Sequence, residues 1–185
     1  RAAACGAHDR QLRRTQSIGG FMGIATIFLL AAGASNTLRF EDWSVVVRPE
    51  PESRMIALTI NDSGGGFGLV CNNSQSCFYM MSSDMKCRNG EEYAVLLNSD
   101  AGANSTFVKC DGDLTKDGTY YYIFTEYDML TKAVADGGKI GIAFPTEDGS
   151  FRVSRYSLQG EAAATDYMTR MLKAREKEST SDLRL

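Results

Sequence analysis

The chain has 185 residues, the length of one domain, and 43% of them are hydrophobic, which is enough to build a core. Residues 1–34 carry a net charge of +3, whereas the remaining residues carry −6. An acidic domain gains nothing from the release of counterions from a nucleic acid, so DNA and RNA are not expected as partners.

The first 34 residues have the pattern of an export signal. A basic stretch at residues 10–14 precedes an apolar run at 21–32, and Ala32-Gly33-Ala34 offers a cleavage site before Ser35. We therefore expect a signal peptide at 1–34 that is removed and is the only part to contact a membrane. An uncleaved anchor is the alternative, although the apolar run is short for a bilayer. Residues 35–185 are then expected to form a single periplasmic or secreted β-rich domain.

From Trp43 onward, apolar and polar residues alternate with the period of a half-buried strand. This pattern predicts nine strands, at residues 43–47, 56–60, 67–71, 77–81, 93–97, 106–110, 119–125, 139–144 and 151–158. In the last strand Phe151 and Val153 share one face, but Tyr156 and Leu158 share the other. We expect a β-bulge near Ser154 and Arg155 that returns all four to one face.

Two helices interrupt this pattern. Apolar residues at helical spacing predict a short helix after Thr125, which ends at Gly137-Gly138. A second amphipathic helix is predicted at about 162–177. The predicted fold is mainly β: an antiparallel β-sandwich or flattened barrel with a short crossover helix and a C-terminal helix.

Four cysteines remain after the expected cleavage: Cys71, Cys77, Cys87 and Cys110. Four cysteines allow three pairings. We favour Cys71–Cys77, which closes the end of a hairpin, and Cys87–Cys110, which joins two strands. A zinc site with four thiolates is the alternative, but the chain has no Cys-x2-Cys pair, and an exported protein more commonly forms disulfides.

The only histidine, His8, lies in the expected signal peptide. The mature domain therefore lacks a Ser-His-Asp triad, a Cys-His dyad and any histidine-ligated metal, and we expect neither a cofactor nor enzymatic activity. Glycosidases act with paired carboxylates instead. A carboxylate-based glycan hydrolase of the envelope therefore stays as an alternative, with Glu91-Glu92 or Glu126 and Asp128 as its acids.

Aromatic and basic residues suggest where a partner could bind. Tyr121 is expected at the surface beside Arg152 or Arg155, and exposed Tyr and Arg are common interface anchors. Another alternative is a secreted protein inhibitor that inserts its 71–77 hairpin into the target. Its contacts would come from Phe78, Tyr79 and Met80.

Several short segments occur in an order that resembles a known family. Trp43-Ser-Val-Val lies near the start, Lys139-Ile-Gly-Ile follows the short helix, and Ser157-Leu-Gln-Gly160 precedes an alanine-rich helix. Across about residues 40–170 this order resembles the invasion-associated locus B family of exported bacterial proteins. The resemblance implies a periplasmic or secreted β-sandwich without known catalytic activity, linked in some pathogens to entry into host cells.

The interpretation that follows is an exported, non-enzymatic binding or envelope-associated protein. Its partner would be a protein or another envelope component, with a contribution to host-cell interaction.

Overall fold

The structure is a computed structural model, which describes residues 36–48, 54–112, 118–135, 137–146 and 149–182. The expected signal peptide and its cleavage site lie outside the described residues.

Ten strands and two helices make up the described part of the chain. The strands are β1 (Asn36–Phe40), β2 (Trp43–Val47), β3 (Arg54–Ile60), β4 (Gly66–Asn72), β5 (Cys77–Ser83), β6 (Glu92–Ser99), β7 (Gly102–Asp111), β8 (Tyr120–Phe124), β9 (Lys139–Pro145) and β10 (Phe151–Ser157). Helix α1 (Tyr127–Ala135) connects β8 to β9, and α2 (Glu161–Asp182) follows β10.

All ten strands pair in one antiparallel sheet, in the order β1-β2-β3-β4-β5-β8-β7-β6-β9-β10. The sheet does not close by hydrogen bonding, because β1 and β10 are its two edges. The predicted mainly antiparallel fold with a crossover helix and a C-terminal helix is confirmed. Among the described residues, neither helix has the length and apolar character that crossing a membrane requires.

The sheet curls around its core. Phe67 on β4 contacts Phe124 on β8 and Tyr156 on β10 with its ring, so strands that are distant in the sheet meet inside it. The helices cover the same inner side, since α1 packs on β5, β6 and β9, and α2 packs on β1, β2 and β3. Their buried residues join the core: Leu130, Ala133, Val134, Ala164, Met168 and Leu172.

A seam holds the two ends of the sheet together. The indole Nε1 of Trp43, which is fully buried, donates to the carbonyl of Ser157 at 2.9 Å. The backbone N–H of Asp42 donates to the carbonyl of Gln159 at 3.2 Å, and the Ser157 hydroxyl donates to the Asp42 carboxylate at 2.6 Å. These single bonds replace the ladder that would close a complete barrel.

Both disulfides are the pairs that the cysteine spacing favoured. Cys71 and Cys77 are bonded between directly opposed positions of β4 and β5. Cys87 is bonded to Cys110 on β7, but Cys87 lies in the loop before β6 rather than in a strand. One bridge therefore fixes a hairpin, and the other fixes a loop to the sheet.

The predicted bulge in the last strand is wrong. Pairing between β10 and β9 is regular from Phe151 opposite Pro145 to Ser157 opposite Lys139. Phe151 and Val153 are 53% and 43% exposed on the outer face, whereas Tyr156 points into the core. The bulge is unnecessary because the outer face of this strand carries the apolar side chains that the prediction had assigned to the core.

Candidate interaction surface

The outer face of the curled sheet bears a contiguous apolar region. Across β10, β9 and β6, Val153 lies opposite Ala143, which lies opposite Leu96. Phe151 is two positions from Val153 on the same face, and Phe107 on β7 lies diagonal to Leu96. We call four exposed side chains of this region, each between 43% and 53% accessible, the outer strip: Leu96, Phe107, Phe151 and Val153.

A groove of about 800 Å³ lies on the same face, between the outer strip and a polar row. The polar row crosses three strands, since Gly141 on β9 is opposite Arg155 on β10 and Asn98 on β6. We call this depression the Gly141 groove, because the glycine leaves bare backbone between the side chains of Arg155 and Asn98. Lys139, Leu96 and Val153 also line it.

Gly141 is a glycine that its surroundings do not require. A Cβ built at this position would meet the carbonyl oxygen of Asn98 at 3.7 Å and Cγ1 of Val153 at 4.0 Å, which are ordinary contacts. Its φ is also outside the left-handed range that favours glycine. Glycine inside a strand weakens the strand. Neither the backbone conformation nor the packing at position 141 explains why a glycine is there.

Two cations stand beside Gly141. Neither Lys139 nor Arg155 has an ion-pair or hydrogen-bonding partner for its side chain among the residues that the structure describes. The nearby carboxylate of Asp100 accepts a hydrogen bond from the backbone N–H of Gly138 at 2.7 Å. Asp100 also lines the groove, and the two cations border a neighbouring depression that Asp42 and Asp62 line, so the groove presents a small excess of positive charge next to an apolar surface.

Three of the residues predicted as contacts meet in a second depression. Phe78, Met80 and Tyr121 line an outer groove of about 350 Å³ over β4. Its floor includes Gly68, where a Cβ would lie only 2.1 Å from the carbonyl oxygen of Ala57. Here, unlike at Gly141, the close approach of two backbones requires the glycine. This groove is consistent with tight strand packing alone.

The expected neighbourhood of Tyr121 with Arg152 or Arg155 is not present. Tyr121 lines the groove over β4, and within the described residues no hydrogen bond, ion pair or shared depression joins it to either arginine. Arg155 lines the Gly141 groove, whereas Arg152 lies on the opposite side of β10 and pairs with Asp84. The pKa of Asp84 is below its usual value, mainly because the carboxylate accepts a hydrogen bond from Arg152.

Tyr79 was predicted as a contact residue and is instead a core residue, 2% exposed. Residues alternate along β5, so Phe78 and Met80 point outward while Tyr79 points inward and stacks on Phe67. Burial raises the pKa of the Tyr79 hydroxyl. A binding surface on β5 can therefore use its two neighbours but not Tyr79.

The acidic residues considered for hydrolysis are exposed: Glu91, Glu92, Glu126 and Asp128. Glu91 accepts hydrogen bonds from Arg88 and from the Tyr93 hydroxyl. Across the described part of the chain, no group of three or more His, Cys, Asp or Glu side chains is placed to hold a metal ion.

Sequence reasoning identified Arg155, Phe151 and Val153 but assigned the last two to the core. It missed Gly141 and Lys139. A signal was present, since the segment Lys139-Ile-Gly-Ile142 puts a glycine between two β-branched residues of a strand, where a ligand or another backbone can approach closely.

Comparison with known proteins gives a likeness in fold. No family model matches the chain, and no curated protein matches it. Among solved structures, the crystal structure of invasion associated protein B from Bartonella henselae aligns with a TM-score of 0.53 and 14% identity, over 75% of this chain and 99% of that chain. At this identity the likeness shows a shared fold.

Proposed function

We propose that this chain is an exported, non-enzymatic binding protein that holds a protein partner against its outer strip. The observation that carries the proposal is the strip itself. Proteins that act as monomers in solution seldom expose contiguous large apolar side chains, and such patches usually mark interaction sites. Leu96, Phe107 and Val153 lie on a regular sheet face, where they contribute little to the core.

Two further observations support the setting. Disulfides such as Cys71–Cys77 and Cys87–Cys110 persist mainly in oxidising compartments, which is consistent with an exported protein. The structural neighbour is named for association with invasion. We therefore propose that the partner belongs to the cell envelope or to a host cell.

The alternatives have less support. A glycan hydrolase needs two carboxylates that face each other across a cleft, and the candidate acids are solvent-exposed. An inhibitor that inserts the 71–77 hairpin needs contact residues at its tip. Phe78 and Met80 instead line the face of the sheet.

Site-specific photocrosslinking in cells tests the proposal. A photoreactive amino acid at position 107 or 153 should capture one recurrent protein, identified by mass spectrometry, because these side chains lie in the strip. The matched control is position 38, since Leu38 on β1 is an apolar residue of nearly the same exposure as Val153, 42% against 43%, but lies outside the strip. Equal capture from position 38, or none from the strip, would contradict the proposal.

A further inference from the structure

We infer that the Gly141 groove receives an extended, acidic segment of the protein partner. This inference rests on the proposed function and adds the chemistry of the segment that binds.

The first argument is the space at Gly141. Glycine in a strand interior is destabilising relative to alanine, because it loses more conformational freedom on folding. Neither the backbone conformation nor the packing at Gly141 requires this cost, because a Cβ would make only ordinary contacts at 3.7 Å and 4.0 Å. The missing side chain leaves room for a chain that lies directly on the backbone of β9.

The second argument is charge. Arg155 lies beside Gly141, and Lys139 is two positions along the same face of β9, so both cations border the gap. Neither forms an ion pair within the described residues, and the one carboxylate that lines the groove, Asp100, accepts a hydrogen bond from the Gly138 N–H. A carboxylate in the groove would complete a charge-assisted hydrogen bond with Arg155, which can be bidentate.

The third argument is the arrangement of the two borders. Asn98 and Arg155 form one side of the groove, while Leu96 and Val153 form the other. Successive side chains of an extended segment point to opposite sides. A segment that crosses β10, β9 and β6 can therefore direct acidic side chains to the polar border and aliphatic side chains to the apolar border.

The lining distinguishes a protein segment from other anions. No aromatic residue is found among the described residues that line the groove, so a sugar ring would lack the stacking surface on which carbohydrate sites commonly depend. Two cations are also few for an anionic membrane surface, which is usually bound by clusters of about four or more Lys and Arg. Sulfated polysaccharides and anionic vesicles are therefore controls rather than the expected ligands.

Peptide selection provides the test. A random peptide library displayed on phage is selected on the wild-type protein and then counter-selected on Gly141→Val, whose side chain would cover the bare backbone of β9 at this position. We expect the enriched peptides to combine Asp or Glu with aliphatic residues. Arg155→Glu should weaken their binding by about tenfold or more, since it replaces an attractive charged contact with a repulsive one. Arg54→Glu, the same change at an exposed position on β3, should leave affinity within about twofold.

Stability measurements keep the test interpretable. Gly141→Ala should unfold at the same or a slightly higher temperature than the wild type, because its Cβ fits and alanine loses less chain entropy on folding. If Gly141→Val proves unstable, Gly141→Ala replaces it in the counter-selection.

Other outcomes would overturn the inference. Enriched peptides without acidic residues, equal binding to Arg155→Glu, or Arg155-dependent binding of heparin or phosphatidylglycerol vesicles would each contradict it. The proposed function is tested separately. If the protein crosslinked at position 107 still binds Gly141→Val and Arg155→Glu, the proposed function stands and only the inference about the groove is wrong. The proposed function fails when no protein is captured from the strip.

Discussion

Glu161 lies in the first turn of α2, and only 7% of its surface is exposed. It is the only buried acidic residue among those that the structure describes. Burial raises the pKa of its carboxyl, and a hydrogen bond with the Thr165 side chain offsets part of the rise. The folded protein therefore binds the Glu161 proton more tightly than the unfolded chain does. Its contribution to stability is most favourable at low pH and is lost as the pH rises above the ordinary glutamic acid value.

We predict that Glu161→Gln raises the free energy of unfolding at pH 7. Glutamine fills the same space without a buried charge. The gain should shrink toward zero as the pH falls below about 4.3, because the wild-type carboxyl is then protonated in both states. Urea unfolding of both proteins from pH 3 to pH 8 measures this difference, with the exposed Glu92→Gln as control. A gain that is independent of pH would show that charge is not its cause.

The two outer-face glycines show how much a residue's sequence context reveals. Gly68 and Gly141 each lie in a strand between apolar neighbours, so the two look alike in the sequence. Only the structure separates them, since a Cβ at Gly68 would collide with the backbone of β3 and a Cβ at Gly141 would not. The distance between neighbouring strands decides this difference, and sequence spacing carries no information about it.

Among the elements, the two disulfides make a matched comparison. Each joins one buried cysteine, Cys71 or Cys110, to a partly buried one, Cys77 or Cys87. The sequence separations are 6 and 23 residues, so the second bridge closes the longer loop. In the chain-entropy model, loops of these lengths correspond to about 2 and about 3 kcal/mol.

We predict that removal of Cys87–Cys110 lowers the melting temperature more than removal of Cys71–Cys77. The two cysteines of each bridge are replaced together by alanine, and thermal unfolding is followed by circular dichroism. A difference of about 1 kcal/mol corresponds to about 3 °C in a domain of this size. The opposite order would mean that the hairpin bridge constrains the unfolded chain more than its short loop suggests.

Nine strands were predicted because their alternation is strong, and the tenth, β1, was missed because Asn36–Phe40 is mostly polar and exposed. As an edge strand it needs only one paired neighbour, which leaves little apolar signal. The predicted second helix, at about 162–177, extends from Glu161 to Asp182 in the structure. Its additional residues have no apolar periodicity, so local sequence could not predict them.

For the whole molecule, the feature that sequence could not predict is the order of strands. Neighbouring hairpins such as β4–β5 and β6–β7 follow from short loops, but β8 lies between β5 and β7, and β9 lies beside β6. The pairings of β5 with β8 and of β6 with β9 join segments that are distant along the chain. They depend on the core that the curled sheet and the two helices build together, which no local pattern specifies.

The seam makes a prediction at this scale. Trp43→Phe removes the indole N–H that donates to Ser157, and it leaves a partly buried carbonyl without this donor as well as a small cavity. We expect a loss of about 2–4 kcal/mol in the free energy of unfolding. Urea denaturation followed by circular dichroism measures it. Phe144→Leu, a buried aromatic change on β9 away from the seam, is the control for cavity formation alone.

Hydrogen exchange on the same variant separates the two causes. Loss of the seam should speed exchange in β1 and β10 more than in the central strands, whereas a cavity alone would not single out the edges. Uniform acceleration throughout the sheet would mean that the Trp43 bond does not hold the edges together.

Trp43 is also the only tryptophan in the chain. Its indole is shielded from water and bonded across the gap between the first and last parts of the sheet. The wild-type protein therefore contains a spectroscopic probe at the place where the fold closes on itself. Parting of the two edges admits water to the ring and moves its fluorescence emission to longer wavelength, so one unlabelled signal reports whether a mutation or a partner opens the sheet.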